Sequence, residues 1–472
     1  MHQKYQLIYR LIHSINRYKI DPMLSEEIIN KYNVSSPRYT SYPTILDWNR
    51  MEFSAAEFAP IFIKAEQNKN HSTSVYVHLP FCESLCTFCG CHKHITKQHS
   101  VEAPYIDAVI KEWQMYEKLN GGSIQVDEIH LGGGTPTFFA AAQLKRLIEA
   151  IKVKVGPDPL FSFEGHPNHT SDEQLETLYD LGFRRVSFGV QSYSPIVQKA
   201  INRIQPFEQV EKVTVDARKA GFTSISHDLV FGLPMQTMED MMDTIAKTIQ
   251  LKPDAISLYS YAHVPWVKGT GQRGFSEEDL PSGDEKRALY ERSKDELIAN
   301  GYVEIGMDHF ALPTDILAIA LRGGALNRTF MGYTTNTTDR MIGLGASAIS
   351  EYGFGYAQNI KSTRGYHGMI DANELPIVKG HVHSEIDATL KEHVTQLMCQ
   401  FKTTFAEDEW MKKHVASFKE TLDAFQKDGI IEWNENEIIV TEDGKPFSRN
   451  VCMTLDPYAN KIPTQGRFSK SV

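Results

Sequence analysis

The chain has 472 residues, 41% of them hydrophobic, which is enough for a large core and for more than one domain. Its 49 basic and 59 acidic side chains give a net charge of −10. This acidic balance argues against nonspecific nucleic-acid binding as the main activity. The sequence has no run of about eighteen apolar residues, so we predict no membrane span.

The N-terminal segment is basic, carries no acidic side chain over its first twenty residues and has apolar residues at helical spacing. It lacks the apolar core of a secretory signal. We predict a short accessory helix there, or a translation start at Met23. An organellar presequence is the alternative.

From residue 73 onward, short β-branched runs alternate with longer amphipathic runs. The short runs predict six strands, over Ser74–His78, Asp127–Leu131, Leu160–Phe163, Arg185–Gly189, Ser224–Val230 and Ala255–Tyr259. The longer runs predict helices over Leu144–Val153, Glu173–Asp180, Val210–Ala220 and Met238–Ile249. Six β-α units are two short of a closed barrel. We therefore predict an α/β fold, an open partial (β/α)6 TIM-like barrel whose functional face lies at the C-terminal ends of its strands.

The pattern changes near residue 282, where a long helix is predicted over Gly283–Ala299. Near the C-terminus, helical runs precede two short β-rich runs, which predict a hairpin and a smaller, winged-helix-like end domain. Because this end is not basic, we favour a packing or lid role over DNA reading. The predicted divisions are an N-terminal extension (1–24), a substrate-side segment (25–72), the partial barrel (73–282), a barrel extension (283–380) and the C-terminal domain (381–472).

Four of the six cysteines lie in one loop after the first predicted strand: Cys82, Cys86, Cys89 and Cys91. The C-x3-C-x2-C spacing lets three soft thiolates hold three irons of a cubane cluster and leave the fourth iron open. A four-thiolate zinc site is the alternative, although structural zinc usually uses two separated cysteine pairs. We expect Cys91 beside the cluster or on the substrate side. Clustered thiols also indicate a reducing, cytoplasmic compartment.

Further candidate residues follow the next strands. The run Gly132–Thr135 ends the second strand, where free backbone N–H groups can hold a ligand. Glu164 ends the third strand, Gln191 follows the fourth, and Asp228 lies within the apolar fifth strand, where it needs partners. Arg203 lies on the helical stretch after Gln191, and only this position distinguishes it from a surface charge.

These features resemble the radical S-adenosylmethionine (SAM) superfamily, through the cysteine loop with an aromatic residue before its third cysteine and the glycine run in a partial barrel. Several segments more closely resemble the oxygen-independent coproporphyrinogen III oxidase family: Pro37–Thr44, Tyr76–Cys82 with Cys89–Cys91, Gly306–Ala311 and Gly332–Thr335. The likeness runs from about residue 25 to the C-terminus.

The resemblance implies a [4Fe–4S] cluster on Cys82, Cys86 and Cys89, with S-adenosyl-L-methionine on its open iron. Residues implied to contact this first SAM are Tyr76, Gly133, Glu164 and Ile349. Residues implied to contact a second SAM are Phe88, Gly134, Thr135, Gln191, Arg203, Asp228 and Ala262. The implied catalytic residues are Cys91, Tyr76 and Glu164.

The implied reaction is the oxidative decarboxylation of coproporphyrinogen III to protoporphyrinogen IX in haem biosynthesis, driven by a 5′-deoxyadenosyl radical. The expected partners are the substrate and a reducing donor such as flavodoxin or ferredoxin, with no nucleic acid, and we expect a monomer. Arg38, Lys93 and Arg328 are candidates for contacts with the substrate carboxylates.

Two segments depart from the family pattern. Gly165-His166-Pro167 lacks a common acidic residue, and Leu326–Thr329 replaces a histidine-containing version, which weakens the assignment of a proton donor there. One alternative is a haem-binding chaperone of the same superfamily, although such relatives usually lack Cys91 and the Pro37–Thr44 segment. Another is a radical SAM enzyme that modifies or methylates haem.

Overall fold

The computed structural model describes residues 26–48, 53–66, 72–265, 271–335, 340–459 and 468. The accessory helix and the start at Met23 that the sequence predicts lie outside these residues. No helix in the described ranges is long and apolar enough to cross a membrane.

A twelve-stranded sheet forms the centre of the protein. Its strands are β1 (Thr73–Leu79), β2 (Gln125–Gly133), β3 (Lys154–Gly165), β4 (Phe183–Gln191), β5 (Ser224–Phe231), β6 (Ala255–Ser260), β7 (Val303–Gly306), β8 (His309–Ala311), β9 (Arg340–Leu344), β10 (Ile349–Tyr352), β11 (Gly355–Asn359) and β12 (Ile377–Val382). Their order across the sheet is β12-β11-β10-β9-β1-β2-β3-β4-β5-β6-β8-β7.

All six predicted strands are present as β1 to β6, and they are parallel neighbours in chain order. The structure adds β9, which is parallel to the other side of β1. Antiparallel strands then extend the sheet at both ends. Within the described residues the edge strands β12 and β7 do not pair, so the barrel is open, as predicted.

Helices cover the outside of this sheet and build the C-terminal part. They are α1 (Glu26–Tyr32), α2 (Ala55–Glu66), α3 (Glu102–Asn120), α4 (Ala141–Ile151), α5 (Asp172–Asp180), α6 (Pro195–Ala200), α7 (Phe207–Ala220), α8 (Met238–Leu251), α9 (Gly283–Ala299), α10 (Ile316–Arg322), α11 (Thr363–Asp371), α12 (Glu385–Gln400), α13 (Glu409–Lys427) and α14 (Ser448–Thr454). The five predicted helices are α4, α5, α7, α8 and α9. Capping boxes begin α5 at Ser171 and α8 at Thr237, where each side-chain oxygen accepts a free backbone N–H of the first turn.

Period-two alternation directs polar side chains into the barrel. In β1, Val75, Val77 and Leu79 are fully buried in the core outside the sheet, so Tyr76 and His78 face the opposite side. The register continues this inner row across the sheet, because Tyr76 pairs with His130 of β2, Glu164 with Ser187, and Asp228 with Ser257. The barrel interior is therefore polar, and it opens where the strands end.

The C-terminal part contains α12, α13 and a three-stranded antiparallel sheet. Its strands are Lys402–Thr404, Ile431–Asn434 and Glu437–Val440, and the last two form the predicted hairpin. This order of helices and strands agrees with the predicted winged-helix-like end. The domain boundaries that we predict at 24, 72, 282 and 380 stay a prediction.

Candidate active site

The cysteine loop follows β1 and is held at both ends. Phe81–Cys82 pairs in parallel with His94–Ile95, which closes the base of the loop. At the far side, the N–H of Thr87 donates to the carbonyl oxygen of Ile201 over 2.9 Å. Within the loop, Lys93 Nζ donates to the carbonyl oxygens of Cys89 (3.0 Å) and Cys91 (3.2 Å). The loop is thus a fixed part of the barrel mouth.

The thiols of this loop are free and lie beside cations and hydrogen-bond donors. Thr135 Oγ1 donates to Cys82 Sγ over 3.3 Å, and Arg203 Nη1 lies 3.6 Å from Cys86 Sγ. Burial raises the pKa of Cys82 to about 11. A hydrogen bond from Cys91, followed by the nearby charges of Lys93 and Arg203, lowers the pKa of Cys89 to about 6. These surroundings favour the thiolate form of Cys89 and disfavour that of Cys82.

The donor set suits an iron–sulfur cubane. Among the described residues, no three or more His, Cys, Asp or Glu side chains converge on a single-ion site. A cubane does not need such convergence, because each thiolate binds a different iron. The buried Nε of Arg203 has no hydrogen-bond partner among the described residues, so it is available to an anionic ligand beside Cys86. The residues at the site therefore fit a cluster with an added small molecule.

The first of two adjoining cavities, here named the cysteine cavity, has a volume of about 470 Å³. Cys82, Cys86 and Cys89 line it. The same cavity is lined by every residue implied to contact the second SAM: Phe88, Gly134, Thr135, Gln191, Arg203, Asp228 and Ala262. Residues from β2, β4, β5 and the segment after β6 thus meet around the cysteine loop.

The second cavity, here named the tyrosine cavity, has a volume of about 630 Å³. It is lined by every residue implied to contact the first SAM: Tyr76, Gly133, Glu164 and Ile349. Gly90, Cys91, Lys93, Gly133 and Glu164 line both cavities and form the wall between them. Cys91 is therefore the cysteine that faces both spaces.

The two predicted residue sets overlap at the barrel mouth, because Gly133 and Glu164 of the first set line both cavities. We expect the first set beside the iron-bound SAM. In the structure, however, the three cysteines line the cavity of the second set and do not line the tyrosine cavity. The end of the loop, from Gly90 to Lys93, lines the tyrosine cavity, whereas the part that carries Cys82, Cys86 and Cys89 lines the cysteine cavity.

A hydrogen-bonded chain lines the inner side of the tyrosine cavity. Tyr76 Oη lies 3.0 Å from His78 Nδ1, and His78 Nε2 lies 3.0 Å from the carbonyl oxygen of His92. Because a carbonyl only accepts, Nε2 carries the proton and Nδ1 accepts from Tyr76. Burial lowers the pKa of His78 to about 4, so this histidine is neutral at pH 7.

Glu164 lies at the end of β3 with its side chain 44% exposed to the cavities. Its Oε2 accepts the N–H of Gly133 over 3.2 Å, and its Oε1 lies 3.5 Å from His130 Nε2. Burial raises the pKa of Glu164, but the hydrogen bonds from His130 and Gly133 outweigh burial, and the pKa lies below its usual value. A carboxylate in this position suits ammonium or hydroxyl groups.

Asp228 lies deeper, where its carboxylate accepts from Ser187 Oγ over 3.0 Å. Burial raises the pKa of Asp228 to about 6. Asp228 and Glu164 also border a polar space of about 140 Å³ inside the barrel. The two acids therefore differ in environment, and Glu164 is the more readily ionised.

The remaining predicted residues lie in different places. Lys93 lines both cavities, whereas Arg38 lies beside Asp308 and the carbonyl oxygen of Ser260, and Arg328 lies over the ring of Tyr333. Neither arginine lines the cysteine or the tyrosine cavity. Burial lowers the pKa of His166 to about 2, so this residue at a departure from the family pattern is neutral.

Sequence reasoning did not select Gln272 or Lys361. Gln272 Nε2 donates to the carbonyl oxygens of Ala262 (2.8 Å) and Phe88 (3.4 Å), which joins two parts of the cysteine cavity. Lys361 lines the tyrosine cavity. No motif in the sequence marks either residue, because only the folded chain brings them to the barrel mouth.

An open barrel with three free thiols at its mouth defines the class of radical SAM proteins. The family model of the Radical SAM superfamily matches residues 76–247, from β1 into α8. Proteins of this class use a [4Fe–4S] cluster and SAM as cofactors, and this confirms the cofactors that the motifs predict.

Comparison with relatives that match nearly the whole chain identifies its family within the radical SAM class. The chain is 35% identical to the oxygen-independent coproporphyrinogen III oxidase of Pseudomonas aeruginosa over 457 residues, which are 94% of this chain and 98% of the relative. It is 36% identical to the Escherichia coli protein of the same name over 452 residues, with coverage of 94% and 98%. The solved structure of coproporphyrinogen III oxidase from Escherichia coli, described as a radical SAM enzyme, matches with a TM-score of 0.86 at 35% identity, over 92% of this chain and 100% of that chain. The chain belongs to the family of oxygen-independent coproporphyrinogen III oxidases, as the sequence motifs predict.

Proposed function

We propose that this chain converts coproporphyrinogen III to protoporphyrinogen IX without oxygen, by oxidative decarboxylation of two propionates to vinyl groups in haem biosynthesis. The observation that carries this proposal is the pair of adjoining cavities beside three cluster thiols, in a chain that matches such oxidases over 94% of its length. When bound, the cluster and SAM would supply a 5′-deoxyadenosyl radical able to take a hydrogen atom from a propionate; loss of carbon dioxide to leave the vinyl group would then pass one electron to an external one-electron acceptor.

Cys82, Cys86 and Cys89 hold the cluster, and the iron-bound SAM occupies the cysteine cavity. This assignment reverses the order implied by the resemblance, and it rests on the position of the three cysteines. In that cavity, Arg203 suits the SAM carboxylate through its free Nε, and Asp228 suits ribose hydroxyls or an amine. Phe88, Gly134, Thr135, Gln191 and Ala262 complete the lining.

The second SAM or the reacting arm of the substrate occupies the tyrosine cavity. Tyr76, Gly133, Glu164 and Ile349 line this space. Cys91 lies in the wall shared with the cysteine cavity, so its thiol faces both occupants. We therefore assign catalytic roles to Cys91, Tyr76 and Glu164. The walls around both cavities position the reacting groups and limit access of water and oxygen.

Two further partners complete the proposal. Reductive cleavage of SAM consumes an electron, so we propose a reducing donor such as flavodoxin or ferredoxin. We also propose that the chain acts as a monomer.

The test is an anaerobic incubation of reconstituted protein with coproporphyrinogen III, SAM and a reductant, followed by product analysis. The proposal expects a divinyl product that depends on SAM and is lost in Cys86→Ser. Absence of vinyl product with haem bound instead would support a haem chaperone and overturn the oxidase. A methylated or ring-opened haem would support a haem-modifying enzyme.

A further inference from the structure

The mouth of the tyrosine cavity is basic, in contrast to the net charge of −10 of the whole chain. His92, Lys93 and Lys361 line it, and Glu164 is the acidic residue among the lining side chains. Glu164 is held by Gly133 and His130 at the barrel end of the cavity. The ammonium groups of Lys93 and Lys361 therefore face the cavity without a second carboxylate among the lining residues.

Of these three basic side chains, Lys361 is the one available to a ligand. Lys93 already donates to two carbonyl oxygens of the cysteine loop. Burial lowers the pKa of His92, and the charges of Lys361 and Lys93 lower it further, so His92 is neutral at pH 7. Lys361 is exposed and makes no ion pair or side-chain hydrogen bond with the described part of the chain.

The backbone on both sides of Lys361 is held by hydrogen bonds, so the position from which its side chain extends is fixed. The N–H of Ser347 donates to the carbonyl oxygen of Ile360 over 3.0 Å, and the N–H of Ile360 donates to the carbonyl oxygen of Pro376 over 2.7 Å. On the other side, Ser362 caps α11 by accepting the N–H of Gly365. A long flexible side chain thus extends from a rigid junction toward the cavity.

We infer that Lys361 binds a carboxylate at the mouth of the tyrosine cavity. This inference rests on the proposed function, which brings two sources of carboxylate to the site: the propionates of the porphyrinogen and the methionine carboxylate of a second SAM. We expect the propionate, because Lys361 lies at the exposed rim. Phe330, Met331 and Ile349 line the same cavity and suit the apolar edge of a pyrrole.

An equilibrium titration tests this binding without turnover. Coproporphyrin III, the oxidised form of the substrate with the same carboxylates, is titrated into the full-length protein while tryptophan fluorescence is followed. Lys361→Gln is expected to weaken binding about tenfold, as loss of a charge-assisted hydrogen bond does. Lys361→Arg is expected to stay within about threefold, since it keeps the charge. The tetramethyl ester, which has no carboxylate, is expected to bind both variants and the wild type alike.

Steady-state kinetics then distinguish the source of the carboxylate. If the propionate is bound, Lys361→Gln raises KM for coproporphyrinogen III about tenfold while kcat changes less than about twofold. A raised KM for SAM instead assigns the methionine carboxylate. Lys118→Gln is the matched control, because Lys118 is exposed at the end of α3, far from the barrel mouth, and is expected to behave like the wild type.

The inference is overturned if Lys361→Gln binds coproporphyrin III and SAM as tightly as the wild type does. This failure differs from failure of the proposed function. In the latter case, the wild type yields no divinyl product, whatever the affinity of the variant.

Discussion

Gly133 shows how closely the backbone approaches the site. Its φ is +113°, and a Cβ atom there would lie 2.7 Å from the imidazole of His78. The same residue donates its N–H to Glu164. A side chain at this position would therefore displace His78 and disturb the chain from Tyr76 to His92.

Gly133→Ala is expected to abolish turnover and weaken SAM binding, because the added methyl group clashes with a ring packed in the cavity wall. The matched control is Gly121→Ala at the end of α3, where φ is +78° and nothing lies within 4 Å of the added Cβ. The control carries only backbone strain of about 1–2 kcal/mol. Equal activity loss in both variants would show that strain, not the clash, is responsible.

Cys91 and Cys86 are expected to differ on substitution. Cys86→Ser removes a cluster ligand and is expected to lose the visible iron–sulfur absorbance. Cys91→Ser is expected to keep most of that absorbance but lose turnover, because Cys91 faces both cavities without being needed as a ligand. Absorbance spectra of anaerobically purified variants check this. Loss of the cluster in Cys91→Ser would show that the ligand assignment is wrong.

A buried carboxylate joins three elements behind the tyrosine cavity. Glu112 of α3 accepts the N–H of Gly345 (2.8 Å), the hydroxyl of Tyr366 in α11 (2.6 Å) and the amide of Asn359 in β11 (2.7 Å). Gly345 belongs to the loop between β9 and β10 that leads to Ile349. Glu112 is thus a positioning residue for one wall of the site.

Glu112 also predicts a pH dependence of stability. Burial raises its pKa from 4.5 to about 7, and the titratable groups near it include the phenols of Tyr105, Tyr116, Tyr352 and Tyr366. Glu112 loses its proton at a lower pH in the unfolded chain than in the native protein. The free energy of unfolding therefore falls as pH rises from about 4.5 to about 7. Above pH 7 the loss is complete and amounts to about 3 kcal/mol.

In Glu112→Gln this contribution is absent. We measure the free energy of unfolding of both proteins by urea denaturation between pH 4.5 and pH 7. Over this range we expect the value for the wild type to fall by about 3 kcal/mol relative to that of the variant. Parallel stability curves for the two proteins would contradict the assignment of this pH dependence to Glu112.

The strands could be predicted because short β-branched runs stand out between longer amphipathic runs. In β1, for example, Val75 and Val77 are β-branched and fully buried. Strand β9 could not be predicted in this way, because Ile342 is the one β-branched residue in Arg340–Leu344. Its parallel pairing with β1 also joins segments that are far apart in the chain.

The residues that the motifs select lie around one barrel mouth, and their assignment to a first or a second SAM stays a prediction. The sequence could not show which set lies beside the cysteines, because that depends on how the loop folds over the strand ends. Gln272 and Lys361 carry no motif. Their positions depend on tertiary contacts that pattern reasoning does not contain.

The substrate-side segment (25–72) joins the barrel to the C-terminal part through residues 36–42. Arg449 Nη1 donates to the carbonyl oxygen of Ser36 (3.0 Å), and Tyr39 donates to Asp456 (3.0 Å). Tyr42 is 1% exposed, and its backbone bonds to the hydroxyl of Tyr356 in β11. The segment therefore contacts both the sheet and the C-terminal helices.

Tyr42→Ala is expected to lower the free energy of unfolding by about 3–5 kcal/mol, because it removes a buried aromatic ring between these parts. Leu46→Ala is the control, since Leu46 is 50% exposed and its removal is expected to change stability by no more than about 0.5 kcal/mol. Thermal or urea denaturation of both variants checks this. Equal stability of the two variants would show that the segment does not hold the parts together.

The most direct test is a Mössbauer spectrum of anaerobically purified, iron-isotope-enriched protein before and after addition of SAM. With three thiolates from one loop and one open iron, addition of SAM is expected to change the signal of one iron in four and leave the others unchanged. Bound zinc in place of iron, or a cluster with all four irons held by side chains and no response to SAM, would contradict the proposed chemistry.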